Sequence, residues 1–248
     1  MASYLLLPAK DEAEALPWLI GRARGVGLVP VVCDDGSADA TFEVARREGA
    51  LVLRHPENRG LAEALRTLFT WALENGKPGD LFLVMDADGT MDPALFPHMR
   101  QALLRENWEV VVASRYRGGG VEGLSPLRRL LSGGARAYFS LLYPGVGVSD
   151  WTTGWRLYSY EFLERYARAY PFLFRAKGFA AQTELLLRGS RLLPPPRIGE
   201  VGVVVRYGRK RGRSKMRLLR TAWEYLRLGW ALRWERPPVP RGEGSGAP

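Results

Sequence analysis

Five short, largely apolar runs, each followed by a segment with helical periodicity, constrain this chain more than any other feature. They are residues 3–8 (Ser-Tyr-Leu-Leu-Leu-Pro), Val29–Cys33, Ala50–Arg54, Leu81–Met85 and Val110–Ala113. A strand that is apolar on both faces must be covered on both faces, which means a mostly parallel sheet between layers of helices. Helices are predicted after the first run to about Arg24, over Ala38–Glu48 with Asp39 as N-cap, over Leu61–Asn75, and over Pro93–Arg105. Leu61, Ala64, Leu65, Leu68, Ala72 and Leu73 recur at helical spacing in the third of these. The expected fold class is α/β, a Rossmann-like, mostly parallel sheet flanked by helices. Such sheets bind ligands at the carboxyl ends of their strands. Three of those ends carry polar sequence: Pro8–Glu12, Asp34–Ser37 and Asp86–Gly89.

The second half is less regular. Helices are predicted over Leu124–Tyr143, Glu161–Tyr170 and Phe179–Arg188, a rigid spacer at Pro194–Pro196, and a strand over Val201–Val205. A basic loop, Arg206–Arg217, leads into an Arg/Trp-rich helix over Leu218–Trp234. Residues 237–248 are rich in Pro, Gly and Ser and are expected to be disordered. The predicted organisation is therefore one α/β domain over 1–205, a basic loop and amphipathic helix over 206–236, and a tail.

Cysteine and histidine are scarce. Cys33 is the single cysteine, which excludes an intrachain disulfide and any Cys₄ or Cys₂His₂ zinc site. His55 and His98 are the two histidines, and neither stands in a nucleophile context that suits a Ser-His-Asp hydrolase. The N-terminal apolar run is too short for a secretion signal, and no stretch reaches the roughly 18 apolar residues of a membrane span. The protein is expected to stay in the cytoplasm. Its formal charge of +10 is uneven: residues 197–248 hold 13 Lys and Arg against 4 Asp and Glu, and residues 1–196 hold 23 against 22. Such asymmetry calls for an anionic partner.

Asp86-Ala87-Asp88 is the sharpest chemical feature. Two carboxylates at i and i+2 past a buried strand suit a hard cation and its bound phosphates, either Mg²⁺ or Mn²⁺. The competing reading is a solvated strand-to-helix turn. Asp35 at the next strand end is a candidate acceptor for a base or ribose, or a plain turn residue. Glu12 is a ribose ligand or an acid favoured by the helix dipole.

Taken in order, Pro8-Ala9-Lys10-Asp11-Glu12, Asp34 through Thr41, Asn58-Arg59-Gly60 and Asp86-Ala87-Asp88 resemble a family-two glycosyltransferase of the GT-A fold. Ala113 through Tyr116, Ser149 through Tyr158, Gly178 through Glu184, and Gly212 through Met216 resemble its dolichol-phosphate mannosyltransferase and polyprenyl-phosphate glycosyltransferase branch. The resemblance spans about residues 4–217. It implies that Pro8, Lys10, Glu12 and Asp35 hold the base and ribose. It implies that Asp86 and Asp88 hold the metal and diphosphate, with Ala87 against the nucleotide. Arg115, Arg128, Arg209 and Lys215 would meet phosphates. Asp150, Gln182 and Glu184 would line the sugar side. Asp150 and Glu184 are the candidate general bases for a hydroxyl acceptor, and each has a structural reading as turn residue or satisfied helix acid.

The implied reaction is inverting transfer of a hexose from a nucleotide sugar, of the GDP-mannose or UDP-glucose type, to a polyprenyl or dolichyl phosphate. A soluble hydroxyl acceptor is the alternative, and a non-catalytic nucleotide-sugar or nucleic-acid binding protein is a third reading. The basic loop suits phosphates, and no nucleic-acid motif accompanies it. In the last helix Arg220, Arg227 and Arg233 interleave with Leu219, Trp223, Leu226, Trp230 and Trp234. That pattern fits a helix lying on the inner face of the cell membrane, packing on its own domain, or a seam between copies in a homo-oligomer.

Overall fold

The computed structural model describes residues 1–123, 126–206 and 218–235. The first half alternates strands and helices as the apolar runs require. The order is β1 (Ser3–Ala9), α1 (Leu16–Gly25), β2 (Val29–Asp35), α2 (Thr41–Arg47), β3 (Leu51–His55), α3 (Leu61–Asn75) and β4 (Leu81–Val84), then α4 (Phe96–Arg105) and β5 (Val110–Ser114). Next come β6 (Gly120–Glu122), α5 (Pro126–Leu142), β7 (Arg156–Ser159), α6 (Tyr160–Ala169), α7 (Ala180–Gly189), β8 (Ile198–Gly202), β9 (Val204–Arg206) and α8 (Leu218–Trp234).

Seven strands form the main sheet in the order β3-β2-β1-β4-β7-β5-β8. β1 pairs in parallel with β2 on one side and β4 on the other, with Leu6 opposite Val31 and Val84. The chain therefore reverses its direction of travel across the sheet between β1 and β4, and the crevice of such a sheet lies there. β7 is antiparallel to β4 and β5, and β8 is parallel to β5. A short parallel pair, β6-β9, stands beside the sheet.

The pleat sends alternate side chains to opposite faces. Leu6, Val31, Phe82, Val84 and Val112 pack with α3, α6 and α7 through Leu65, Phe162 and Leu186. Leu5, Leu7, Val32, Leu83 and Val111 pack with α1 and α4 through Leu19, Ile20 and Met99. Both faces are dry, as continuous apolar strands demand.

Several sequence expectations are corrected. The expected strand over Val201–Val205 is two strands, broken at Val203, whose amide donates to Ser114 O (2.9 Å). A Cβ on Gly202 would lie 2.2 Å from the carbonyl oxygen of Arg117, so the chain turns where that residue passes. β7 carries no strand expectation, because its sequence, Arg-Leu-Tyr-Ser, lacks alternation or an apolar run. The first helix starts at Leu16, because residues 10–13 are tied to the β2 loop. Asp39 is not the N-cap of α2. That position is Ala40, and Asp39 instead accepts from the amide and hydroxyl of Thr41 (3.0 and 2.5 Å). The tail over 237–248 lies outside the described residues.

Leu83 is fully buried in central strand β4. Leu83→Ala is expected to cost about 3 kcal/mol and to lower the thermal midpoint by roughly 6–12 °C, measured by calorimetry.

Candidate active site

The carboxyl ends of β1 and β2 hold one another. Asp11 adopts a φ of 52°. Its carboxylate bridges Lys10 Nζ (2.8 Å) and the Ala38 amide (2.8 Å). Ser37 Oγ accepts from the Asp11 amide (2.9 Å), and Thr41 Oγ1 accepts from the Glu12 amide (2.8 Å). Pro8 is buried opposite Cys33. Lys10 and Glu12 are half-buried on the loop just beyond.

Asp35 is almost wholly buried and occupied within the fold. Its Oδ1 accepts from the Arg59 amide (2.9 Å) and lies 2.7 Å from His55 Nδ1. Its Oδ2 accepts from the Gly60 amide (2.8 Å). It thereby anchors the Asn58–Gly60 loop that starts α3. Gly36 makes this possible: its φ is +62°, and a Cβ would lie 2.4 Å from the Glu57 carbonyl carbon.

After β4, Asp86 is half-buried and lines a cavity of about 460 Å³. Ala87 packs inward at 3% exposure. Asp88 is buried, and its Oδ1 accepts from the amide and hydroxyl of Thr90 (3.1 and 2.6 Å). Two oxygen-bearing carboxylates on one turn suit a hard divalent cation. Among the described residues no group of three or more His, Cys, Asp and Glu converges as a metal cage. A cation here would share its shell with substrate oxygens, as Mg²⁺ and Mn²⁺ commonly do at phosphates.

Arg115 follows β5 and also lines the cavity. Its Nε and one terminal nitrogen donate to the two oxygens of Asp150 (2.7 and 2.6 Å), and the same terminal nitrogen donates to Thr152 Oγ1 (2.9 Å). Asp150 is fully buried, and it also accepts from the Arg115 amide (2.9 Å). Glu200, on β8, sets Asp150 in turn, because its Oε1 accepts from the amides of Ser149 and Asp150 (2.8 Å each). Asp150 therefore orients Arg115, and its oxygens are not presented to the cavity.

Gln182 and Glu184 lie on α7, and neither lines the cavity. A Cβ on cavity-lining Gly154 would lie 2.7 Å from Gln182 Nε2, so this glycine lets the amide approach the floor from behind. Gln182 Oε1 is buried with no hydrogen-bond partner among the described residues. Glu184 takes the place of a satisfied helix acid. Its Oε2 accepts from the amides of Arg175 and Ala176 (2.9 and 2.6 Å), and its Oε1 from Arg188 Nε (2.7 Å). Arg128 sits in the first turn of α5. Arg209 and Lys215 lie outside the described residues.

The rest of the cavity was not legible in the sequence. Leu130, Leu131, Gly134 and Ala135 of α5 face Ala222, Tyr225 and Leu226 of α8, and Thr152, Thr153 and Gly154 lie towards the sheet. Leu130 and Leu226 are at once cavity wall and open surface, 72% and 43% exposed. The cavity is thus charged where Asp86 and Arg115 stand and apolar where it opens. Burial pushes the Tyr225 phenol up to about 12, while Arg156, a hydrogen bond with Thr183 and Arg115 oppose the shift and Asp86 adds to it. Glu200 had one signal available, a single acid in an otherwise uncharged strand. Tyr225 had none, since it continues an aromatic stripe.

This sheet order, with carboxylates at the β4 terminus, is that of a GT-A-type glycosyltransferase. The chain belongs to glycosyl transferase family 2, whose family model matches residues 26–184. It is 31% identical over 248 residues to an undecaprenyl-phosphate mannosyltransferase of Micrococcus luteus, covering 95% of this chain and 97% of that one. It is 29% identical over 194 residues to a polyprenol monophosphomannose synthase of Mycolicibacterium smegmatis, covering 75% and 71%. Among solved structures it is similar to glucosyl-3-phosphoglycerate synthase from Mycobacterium tuberculosis in complex with Mn²⁺, UDP-glucose and phosphoglyceric acid. That similarity has a TM-score of 0.71 and 23% identity over 94% of this chain and 79% of the other, and it concerns the fold.

Two predictions follow from these side chains. Asp150→Ala leaves a buried guanidinium without its counter-charge and is expected to cost about 3–5 kcal/mol, read as a lower denaturation midpoint. Cys33, Tyr143, Tyr170 and Tyr225 are each pushed up to about 12, chiefly by burial, from ordinary values of 9.0 for the thiol and 10.0 for the phenols. Between those ordinary values and 12 the unfolded chain releases protons that the folded chain retains. Stability should therefore be fully present below about pH 9 and fall as pH rises towards 12, measured by urea midpoints at pH 8, 10 and 11.

Proposed function

We propose that this protein is an inverting hexosyltransferase that carries sugar from a nucleotide donor to a polyprenyl phosphate at the cytoplasmic surface of the membrane. The observation that carries this reading is the cavity with a charged end at Asp86 and Arg115 and an apolar mouth between α5 and α8. A soluble acceptor has no use for that mouth, whereas an isoprenoid chain gains its transfer energy there. The names of the two relatives, both polyprenyl-phosphate enzymes of mannose, support the same acceptor class.

The surface around the mouth supports docking on a bilayer. Trp223, Leu226, Trp230 and Trp234 are exposed on the outer side of α8, and Leu127, Leu130 and Leu141 on α5. Arg129, Arg136, Arg220, Arg227 and Arg233 are exposed on the same two helices. Aromatics with cations suit the headgroup level of an anionic leaflet. Among the described residues no helix is long and apolar enough to cross a membrane. The assignment divides the chain into a catalytic domain over 1–205, a basic loop and docking helix over 206–236, and a tail.

Pro8, Lys10, Glu12 and Asp35 are assigned to the nucleoside, Asp35 through the loop it anchors. Asp86 and Asp88, with Ala87 between them, would hold Mg²⁺ or Mn²⁺, and the cation would supply positive charge for the departing diphosphate. Arg115, held by Asp150, faces that charge from the cavity wall. Arg128, Arg209 and Lys215 are assigned to phosphates by family resemblance. Gln182 is assigned to the sugar side through Gly154. An acceptor phosphate oxygen forms the new bond to the anomeric carbon as the bond to the diphosphate breaks, and the electron pair leaves with the nucleoside diphosphate. A phosphate monoester, with a second pKa of about 6, is already anionic, so no side chain need remove a proton. This suits Asp150 and Glu184, whose oxygens are committed to partners.

The test is transfer of radiolabelled sugar from GDP- and UDP-sugars into organic-extractable lipid with undecaprenyl phosphate present. Label in the lipid phase is expected, lost on chelation and reduced by at least about a hundredfold in Asp88→Asn. Donor hydrolysis with no lipid label would move the acceptor to a soluble molecule, and silence with every donor would remove the enzyme reading.

A further inference from the structure

The walls that α5 and α8 give the cavity are mostly aliphatic, and three hydroxyls on them are committed to the fold. Ser132 Oγ is 2.6 Å from Tyr116 Oη, Tyr138 Oη donates to the carbonyl of Leu226 (2.7 Å), and Tyr225 bonds with Thr183. The floor differs. Thr152, Thr153 and Gly154 line the cavity with Asp86 and Arg115. Thr152 Oγ1 accepts from a terminal nitrogen of Arg115 (2.9 Å), and Thr153 Oγ1 accepts from the Trp155 amide (3.2 Å). Each hydroxyl is thus an acceptor within the fold, and its own proton has no acceptor among the described residues. The guanidinium turns the Thr152 O–H away from itself, because hydroxyl dipoles orient in the local field. The main-chain amides of Thr152, Thr153 and Gly154 also have no acceptor among the described residues. Yet Thr153 is only 5% exposed, and buried polar groups are nearly always paired. Successive amides and two hydroxyls with protons to give, beside a guanidinium, suit an anion.

We propose that Thr152, Thr153 and the amides through Gly154 form a subsite for a phosphoryl group, the two hydroxyls donating to its oxygens beside Arg115. This rests on the glycosyl-transfer reading above. The ligand is a phosphoryl group rather than a sugar hydroxyl for an electrostatic reason. An oxygen bonded to Thr152 lies two hydrogen bonds from the Arg115 guanidinium, where negative charge is favoured. Both substrates of that reaction carry this chemistry, the donor as a diphosphate and the lipid acceptor as a monophosphate. The subsite is preformed, because Glu200 holds the amides of Ser149 and Asp150 just before it.

The test is Thr152→Val and Thr153→Val, each beside the serine variant at the same position, which keeps the hydroxyl. Loss of a hydrogen bond to a charged group should raise the KM of one substrate by roughly ten- to a hundredfold in both valine variants, and serine should return it to within about threefold of wild type. A rise in the KM for the nucleotide sugar assigns the subsite to the donor diphosphate, and a rise for undecaprenyl phosphate assigns it to the acceptor. Unchanged KM values overturn the inference, as does a serine variant as impaired as its valine counterpart. So does a loss confined to Thr152→Val: Thr153 bonds Trp155 and not Arg115, so such a loss reports on the guanidinium alone. Should a valine variant fail to fold, threonine-methyl NMR of the wild-type protein decides. The Thr152 and Thr153 resonances should move on addition of undecaprenyl phosphate, or of GDP or UDP with Mg²⁺, and stay in place with undecaprenol and free nucleosides. Resonances that ignore every phosphate overturn the inference. If wild type transfers nothing to lipid, the parent reading fails and the inference with it, whereas wild-type transfer with unchanged variants fails the inference alone.

Discussion

The buried pair of Arg115 and Asp150 joins parts of the molecule that lie far apart in sequence. Arg115 follows β5, Asp150 lies in the long connection between α5 and β7, and Glu200 holds that connection from β8 through two amides. A bare guanidinium at this depth would be expensive, and a bare carboxylate more so. The middle of the connection is therefore fixed in register with the sheet. Thr152, Thr153 and Gly154, which follow Asp150 after Trp151, gain their place on the cavity wall from this pair. So does the guanidinium of Arg115.

A second set of polar contacts fixes α8. Arg191 donates to the carbonyls of Leu232 and Glu235 at the end of that helix, and Arg188 pairs with Glu235 at 2.7 Å. Cations at a helix C-terminus satisfy its orphan carbonyls and favour its dipole. Thr221, Tyr225 and Leu232 form the buried stripe, while Trp223, Trp230 and Trp234 stay outside. Packing on the domain and display of an aromatic face are thus properties of opposite sides of one helix. Glu184 belongs to this set, since it neutralises Arg188 and ties down the amides of residues 175 and 176. It thereby holds α7, which carries Gln182.

The two carboxylate clusters divide the labour of the strand ends differently. Around Asp11, Asp35 and Asp39, most of the bonds run to backbone amides, and the rest to Lys10, His55 and the Thr41 hydroxyl. Those acids build the shape of the loops at the ends of β1 and β2. Around Asp86 the surroundings open into the cavity. Equal sequence signals, an acid just past an apolar strand, resolve into loop scaffold in one case and cavity lining in the other.

The strands and helices of residues 1–114 were legible because local patterning decides them: apolar runs must be buried, and 3.6-residue spacing buries one face of a helix. The carboxylates past β4 were legible for the same reason, since a parallel sheet presents its strand ends to ligands. The antiparallel β7 was not, because Arg156–Ser159 becomes a strand only between β4 and β5, where partners supply its hydrogen bonds. Nor were the duties of Asp150 and Glu184, which depend on amides and guanidinium groups brought in from 35 residues away or packed across a turn. The sequence alone determined an α/β sheet with acids just past its strands and a cationic aromatic helix near the end of the chain. Only the tertiary structure decided that this helix would close a cavity over those acids, because a cavity exists between elements and no single element encodes it.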